Sequence, residues 1–210
     1  MIENVQVLCH SGILINKGKA IYIDPFRIKN NYNDADIIMI THDHYDHYSE
    51  EDIEKVRKED TIIVVPVELE KKAINIGFKK ENIIVVESNH QYNIEQIKIQ
   101  TIPAYNIDKP FHQKENNWVG YIIELEGISY YVPGDTDITE ENKKVRCDVA
   151  FVPVGGTYTM NSKEAAELVN EIKPKIAIPI HYGEVVGTKE DAIDFVRRVN
   201  KDIKCEILMK

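Results

Sequence analysis

Ile37-Ile38-Met39-Ile40-Thr41-His42-Asp43-His44-Tyr45-Asp46-His47 decides how the rest of the chain is read. Its first four residues are apolar and read as a buried strand. The residues that follow hold three of the chain's seven histidines and two carboxylates. A strand that stops in such a cluster presents imidazoles and carboxylates from a rigid edge, which is how divalent-metal sites are built. Dense His/Asp spacing of this kind has little packing use, whereas a single histidine after a strand is usually a polar loop residue.

Imidazole binds zinc through either ring nitrogen, and a carboxylate adds neutralising charge and can bridge two ions. On an extended or irregular loop His42 and His44 point to the same side. Asp46 and His47 lie one turn onward and face a second ion. Both ions are then short of ligands, and two other strand ends supply candidates. Val132-Pro133-Gly134-Asp135-Thr136-Asp137 follows an apolar run, and its glycine allows a sharp turn. The run Lys175 to Ile180 ends in His181-Tyr182-Gly183. Asp135 reads as a bridging carboxylate and His181 as a ligand to the second ion.

The flanking sequence supplies the frame. Gly12 to Asp24 reads as a hairpin turning near Lys17-Gly18, and Gly120 to Val132 as another turning at Glu126-Gly127. Each is followed by acidic residues and then by an apolar strand opened by aspartate, Asp36 to Ile40 and Asp148 to Val152. This pattern predicts a weak internal duplication of two β-rich halves. Ser49-Glu50-Glu51-Asp52 starts a helix through about Lys58, Val67 to Ile76 forms a second with Gly77 as its stop, Asn161 starts a third that runs to Ile172, and Thr188 starts a fourth. Apolar segments near 62–65, 83–86, 97–102, 175–180 and 203–208 complete the strands. The order predicts two mixed sheets flanked by helices rather than an all-parallel sheet.

The chain has 210 residues, enough for one sizeable core, and a single domain over 1–210 is the expectation. No apolar run approaches a membrane span and the N-terminus lacks a basic-then-apolar signal segment, so a cytoplasmic protein is expected. Cys9, Cys147 and Cys205 are widely spaced and odd in number, which is neither a disulfide framework nor a zinc knuckle. A net charge of −9 argues against broad nucleic-acid binding. The sequence leaves a homo-oligomer open.

His42-x-His44-x-Asp46-His47 resembles the HxHxDH hallmark of the metallo-β-lactamase superfamily. The resemblance extends to Asp24-Pro25, Gly134-Asp135-Thr136 and the late His181. Within the superfamily the chain looks like the small single-domain metal-dependent hydrolases similar to L-ascorbate-6-phosphate lactonase. Their segments resemble His10-Ser11-Gly12, Pro153 to Met160 and Lys173 to Tyr182 here. The resemblance implies a four-layer αββα sandwich, α/β (α+β) in class, with metals at one edge between the sheets. The superfamily usually carries a further histidine where this chain has Asn106, in Ala104-Tyr105-Asn106. His112 is the natural substitute. His10 is expected to support the metal shell by packing or a hydrogen bond, and Asp24 to orient the histidine loop.

These readings imply a metal-dependent hydrolase. A metal lowers the pKa of bound water from about 15.7 toward 7, and the hydroxide attacks a small anionic ester, lactone or phosphodiester. His42, His44, Asp46 and His47 are the candidate catalytic residues, and with Asp135 and His181 they are the candidate metal ligands. Asn106, His112, Tyr158 and Tyr182 are the candidate substrate contacts. One or two divalent ions are expected, zinc first, with manganese, iron and nickel tolerated by the same ligand set. Asp43 and Asp137 are expected to face solvent or cap turns. Two alternatives remain. One is a nuclease of the same superfamily, disfavoured by the acidic balance. The other is a degenerate, non-catalytic member that binds metal or ligand, a reading that Asn106 sustains.

Overall fold

The apolar run ahead of the His/Asp cluster is a strand in the computed structural model, which describes residues 1–209. The described chain divides into two units, Ile2–Glu87 with Met209, and Ser88–Leu208 with Met1.

The first unit holds a six-stranded mixed sheet. Its strands β1 (Val5–Cys9), β2 (Gly12–Lys17) and β3 (Lys19–Ile23) are antiparallel, and β4 (Ala35–Met39), β5 (Arg57–Pro66) and β6 (Ile83–Val86) continue it in parallel. Parallel neighbours need crossovers. Helices make two of the three here, α1 (Glu50–Val56) between β4 and β5 and α2 (Glu70–Asn75) between β5 and β6. Ser49 caps α1, its Oγ accepting from Asp52 N at 3.3 Å. The apolar side chains Ile53 and Val56 of α1 and Leu69 and Ala73 around α2 pack with Leu14, Tyr22, Ile38, Ile40, Ile63 and Val65 of the sheet. Each fully buried isoleucine or valine of this kind contributes roughly 1.5–3 kcal/mol.

The second unit holds a seven-stranded mixed sheet. Here β7 (Gln91–Ile94), β8 (Ile97–Pro103), β9 (Val119–Leu125) and β10 (Ile128–Val132) form an antiparallel meander. The parallel strands β11 (Val149–Pro153), β12 (Ile176–Ile180) and β13 (Lys204–Cys205) follow, separated by α3 (Ser162–Ile172) and α4 (Lys189–Arg198). A full capping box starts α3. Asn161 Oδ1 accepts from Lys163 N and Glu164 N, and Glu164 Oε2 accepts from Asn161 N at 2.9 Å. At the β9–β10 turn Glu126 and Gly127 have φ of +50° and +72°, the left-handed pair that a two-residue hairpin loop requires.

Each sheet therefore runs three antiparallel strands and then three parallel ones, with β7 added at the edge of the second. The expected duplication is present as topology. The two mixed sheets and their helices are also those expected. Three boundaries differ. α1 stops at Val56 because β5 begins at Arg57, earlier than the apolar residues alone suggest. The first turn of the second helix is a 3-10 turn over Val67–Leu69. The strand foreseen over 203–208 pairs only through Lys204–Cys205. Among the described residues no helix is long and apolar enough to cross a membrane.

Asp148 shows how an acidic residue opens a parallel strand. Its carboxylate lies 2.7 Å from Lys175 Nζ and accepts from Ser129 N at 2.9 Å and Ser129 Oγ at 3.0 Å. The Lys175 ammonium, followed by the Ser129 amide, holds Asp148 below the ordinary carboxylate range. A lowered folded pKa contributes stability above the ordinary range and loses it as pH falls through the folded value. Wild type is therefore expected to exceed Asp148→Asn by about 1 kcal/mol at neutral pH. The margin should close on acidification below the ordinary carboxylate range, as urea midpoints at the two extremes will measure.

Candidate metal centre

In the first unit the centre begins with Asp24, the residue after β3. It is buried, and it leaves the strand with a left-handed φ of +45°. Its Oδ1 accepts from Thr41 N at 2.8 Å, and its Oδ2 accepts from Thr41 Oγ1 at 2.7 Å. His47 Nδ1 lies 2.8 Å from the same Oδ2. A carboxylate only accepts, so His47 carries its proton on Nδ1 and turns the lone pair of Nε2 outward. The Thr41 hydroxyl spends its one proton on Asp24. It must therefore accept at its 3.0 Å contact with His42 Nδ1, and His42 too is protonated on Nδ1. The two imidazoles are thus fixed in the tautomer that a metal needs at Nε2.

His42 Nε2 lies 3.1 Å from His44 Nδ1. Two ligand nitrogens on one tetrahedral ion, each bonded at about 2.0–2.1 Å, sit about 3.3 Å apart. The observed pair is thus spaced as ligands to a common cation, and His42 and His44 do share a side. Asp46 Oδ2 lies 3.7 Å from His47 Nε2 and 3.4 Å from His10 Nε2. His10 is fully buried with φ of +53°, and its Nε2 faces that carboxylate oxygen. Asp43 does not merely face solvent; it forms an ion pair with Lys72.

In the second unit Asp135 follows the turn at Gly134, whose φ is +67°. Its Oδ2 lies 3.0 Å from His181 Nε2 and 3.2 Å from His112 Nε2. One carboxylate oxygen thus touches two imidazoles. His181 leaves β12 with φ of +59°. Gly155 is required beside it, because a Cβ there would stand 2.5 Å from the His181 carbonyl oxygen. His112, only 2% exposed, is no loose loop histidine. Its ring stands 5.3 Å from that of Trp118.

Asn106 holds this arrangement from behind. Its Nδ2 donates to the Tyr158 carbonyl at 2.7 Å and lies 3.3 Å from His112 Nδ1. Its Oδ1 is buried with no hydrogen-bond partner among the described residues. The Tyr182 hydroxyl is likewise buried without a hydrogen-bond partner among the described residues, and burial pushes its ionisation above the ordinary phenol range. Tyr158 is half-buried and makes an edge contact with Phe111 at 4.8 Å.

The sequence reading missed Asp137. It is not a solvent-facing turn residue. Its Oδ2 accepts from Ile107 N at 3.0 Å, its Oδ1 pairs with Lys109, and its own N–H donates to the Tyr105 carbonyl at 3.0 Å. It clamps the loop that carries His112. The only signal was a second aspartate two residues after Asp135, which turn propensity explains equally well.

A model of the β-lactamase superfamily domain matches residues 4–181. The chain belongs to this superfamily. Within the β-lactamase superfamily it belongs with the UPF0173 metal-dependent hydrolases, being 31% identical to one from Thermococcus kodakarensis over 97% of this chain and 95% of the relative. A crystal structure from Parabacteroides distasonis, described as a candidate metal-dependent hydrolase, superposes with a TM-score of 0.82 at 28% identity, covering 97% of this chain and 91% of that one. Igni18, a metallo hydrolase from Ignicoccus hospitalis, gives a TM-score of 0.79 at 22% identity over 97% and 93%, and at that identity it speaks to the fold alone. The two mixed sheets with their helices are the metallo-β-lactamase fold. For a member of this superfamily, the donor set of each unit, imidazoles with carboxylates, suits a borderline divalent cation.

Proposed function

We propose that this superfamily member hydrolyses an ester, lactone or phosphodiester bond with one or two divalent ions, zinc first among them. The chain is a metal-dependent hydrolase in class, as its relatives are named. The observation that carries the reading is the Asp24–Thr41 pair, which turns the Nε2 lone pairs of His42 and His47 outward. Histidines kept only for packing need no such fixed tautomer.

In this reading His42, His44, Asp46 and His47 of the first unit and Asp135 and His181 of the second are metal ligands, and His112 supplies the imidazole that Asn106 does not. A divalent ion bound there supplies Lewis acidity and brings the ionisation of a coordinated water from about 15.7 toward 7. The protein's own residues do the rest. Asp24 keeps the proton on His47 at Nδ1, and Thr41, oriented by Asp24, does the same for His42. Asp46 offers a carboxylate oxygen to a proton on the nucleophilic side. Tyr182, kept protonated by burial, donates to a substrate oxygen, and Asn106 Oδ1 accepts from a substrate or water donor. The ions' positive charge favours a reacting group that is anionic or becomes so. A cytoplasmic setting suits three cysteines that form no disulfide, of which Cys147 is pushed up to about 12 by burial and is correspondingly inert.

The test is metal content with turnover. Protein stripped by a chelator should lose hydrolysis of generic 4-nitrophenyl phosphodiesters or lactones, and zinc should restore it. His112→Ala should bind fewer ions per chain than wild type by elemental analysis. Unchanged stoichiometry would remove His112 from the ligand set, and full activity in the stripped protein would end the metal reading altogether.

A further inference from the structure

We infer that the substrate carries an apolar aryl or alkyl group next to its scissile bond, seated on a wall made by Ile107, Phe111 and Tyr158. This rests on the hydrolase reading above and adds the chemistry of the substrate's non-reacting part.

Ile107 and Phe111 lie on the β8–β9 loop and Tyr158 on the β11–α3 loop, and the first loop is not free to bury its own apolar residues. Asp137 grips the Ile107 amide at 3.0 Å and the Lys109 ammonium, and Asn106 N donates to the His112 carbonyl at 2.8 Å. Held this way, the loop leaves Ile107 60% and Phe111 41% exposed. Single exposed apolar residues are ordinary. Here two stand four residues apart, Phe111 directly before the buried His112, and the Phe111 ring meets the Tyr158 ring at 4.8 Å and 78°. Asn106 ties the wall to the chemistry, since its Nδ2 donates to the Tyr158 carbonyl at 2.7 Å and stands 3.3 Å from His112 Nδ1.

Charge points the same way. The loop's two lysines are both engaged, Lys109 with Asp137 and Lys114 with Glu141 at 3.1 Å. Neither is a spare cation for a second anionic group, so beyond the reacting bond the loop offers apolar surface. Aromatic side chains recognise flat apolar groups by edge and face contacts. A purely hydrophilic substrate such as a sugar phosphate would leave the wall in water.

A matched series tests this: methyl, butyl and phenyl 4-nitrophenyl phosphate, with one leaving group and one charge. With metal-loaded wild type, kcat/KM should rise about tenfold from methyl to phenyl. In Phe111→Ser, and independently in Ile107→Ser, that ratio should fall toward one, with circular dichroism confirming the fold. A second readout needs no turnover. Trp118 is the chain's one tryptophan and lies 5.3 Å from the His112 ring, so its fluorescence reports ligands at this loop. Phenylphosphonate should bind about tenfold more tightly than methylphosphonate, and Phe111→Ser should erase the difference. Turnover with a flat ratio in wild type, or a ratio that survives both variants, overturns the wall. If no diester or lactone is turned over, the hydrolase reading fails instead, and equal phosphonate affinities then overturn the wall as well.

Discussion

Asp135→Ala is expected to lower kcat/KM by at least ~1,000-fold, the largest effect of any single change in the second unit. Its Oδ2 is the oxygen that His181 Nε2 meets at 3.0 Å and His112 Nε2 at 3.2 Å. Alanine removes both the shared contact and the negative charge that offsets a bound cation. The metal is expected to stabilise the folded protein, because a ligand that binds only the native state at 100 times its Kd contributes about 2.7 kcal/mol. Zinc added to stripped wild type should therefore raise Tm, and the alanine variant should lose most of that rise. Asp135→Asn separates shape from charge, since it keeps the volume and loses the anion. A variant that retains both the full thermal shift and the full rate would remove Asp135 from the centre.

The second large effect is at Asp24. Three buried donors, Thr41 N, Thr41 Oγ1 and His47 Nδ1, converge on its carboxylate within 2.8 Å. Asp24→Ala leaves all three in the interior without that acceptor, at a cost of about 3–5 kcal/mol. The urea midpoint should fall accordingly. Asp24→Asn keeps the volume but sets an amide N–H where a carboxylate oxygen accepted. It should weaken metal binding by about 10–100-fold, read by competition with a coloured chelator, with a smaller loss of stability. Equal metal affinity in the asparagine variant and wild type would show that the tautomer lock is dispensable.

What the sequence revealed and what it hid follow from how local each signal is. The His42–His47 cluster could be read because its ligands lie within one turn of chain after an apolar strand. The two hairpins could be read because a Gly at each turn pairs with β-prone flanks. The orienting role of Asp24 followed from its place after the first hairpin. Asp137 was misread because its partners, Ile107 and Lys109, lie far upstream and nothing in the chain couples them. His112 was legible as a candidate in place of the histidine that Asn106 replaces, but its burial was not, because its contacts to Trp118 and Asn106 cross the loop. The β7 strand escaped notice because Gln91 and Asn93 dilute an alternation carried only by Tyr92 and Ile94. β13 was overestimated because the apolar content of 203–208 says nothing of how far β12 extends beside it.

His10, Asp24, His112 and His181 all adopt left-handed backbone, with φ between 45° and 59°. Such a residue other than glycine costs roughly 1–2 kcal/mol, so a chain tuned for ruggedness alone would carry glycine at these corners. Installing glycine at His181 should relax the main chain while deleting the reagent it carries. The molecule trades durability for reactivity at its strand ends, and an engineer raising its heat tolerance should look to other parts of the chain.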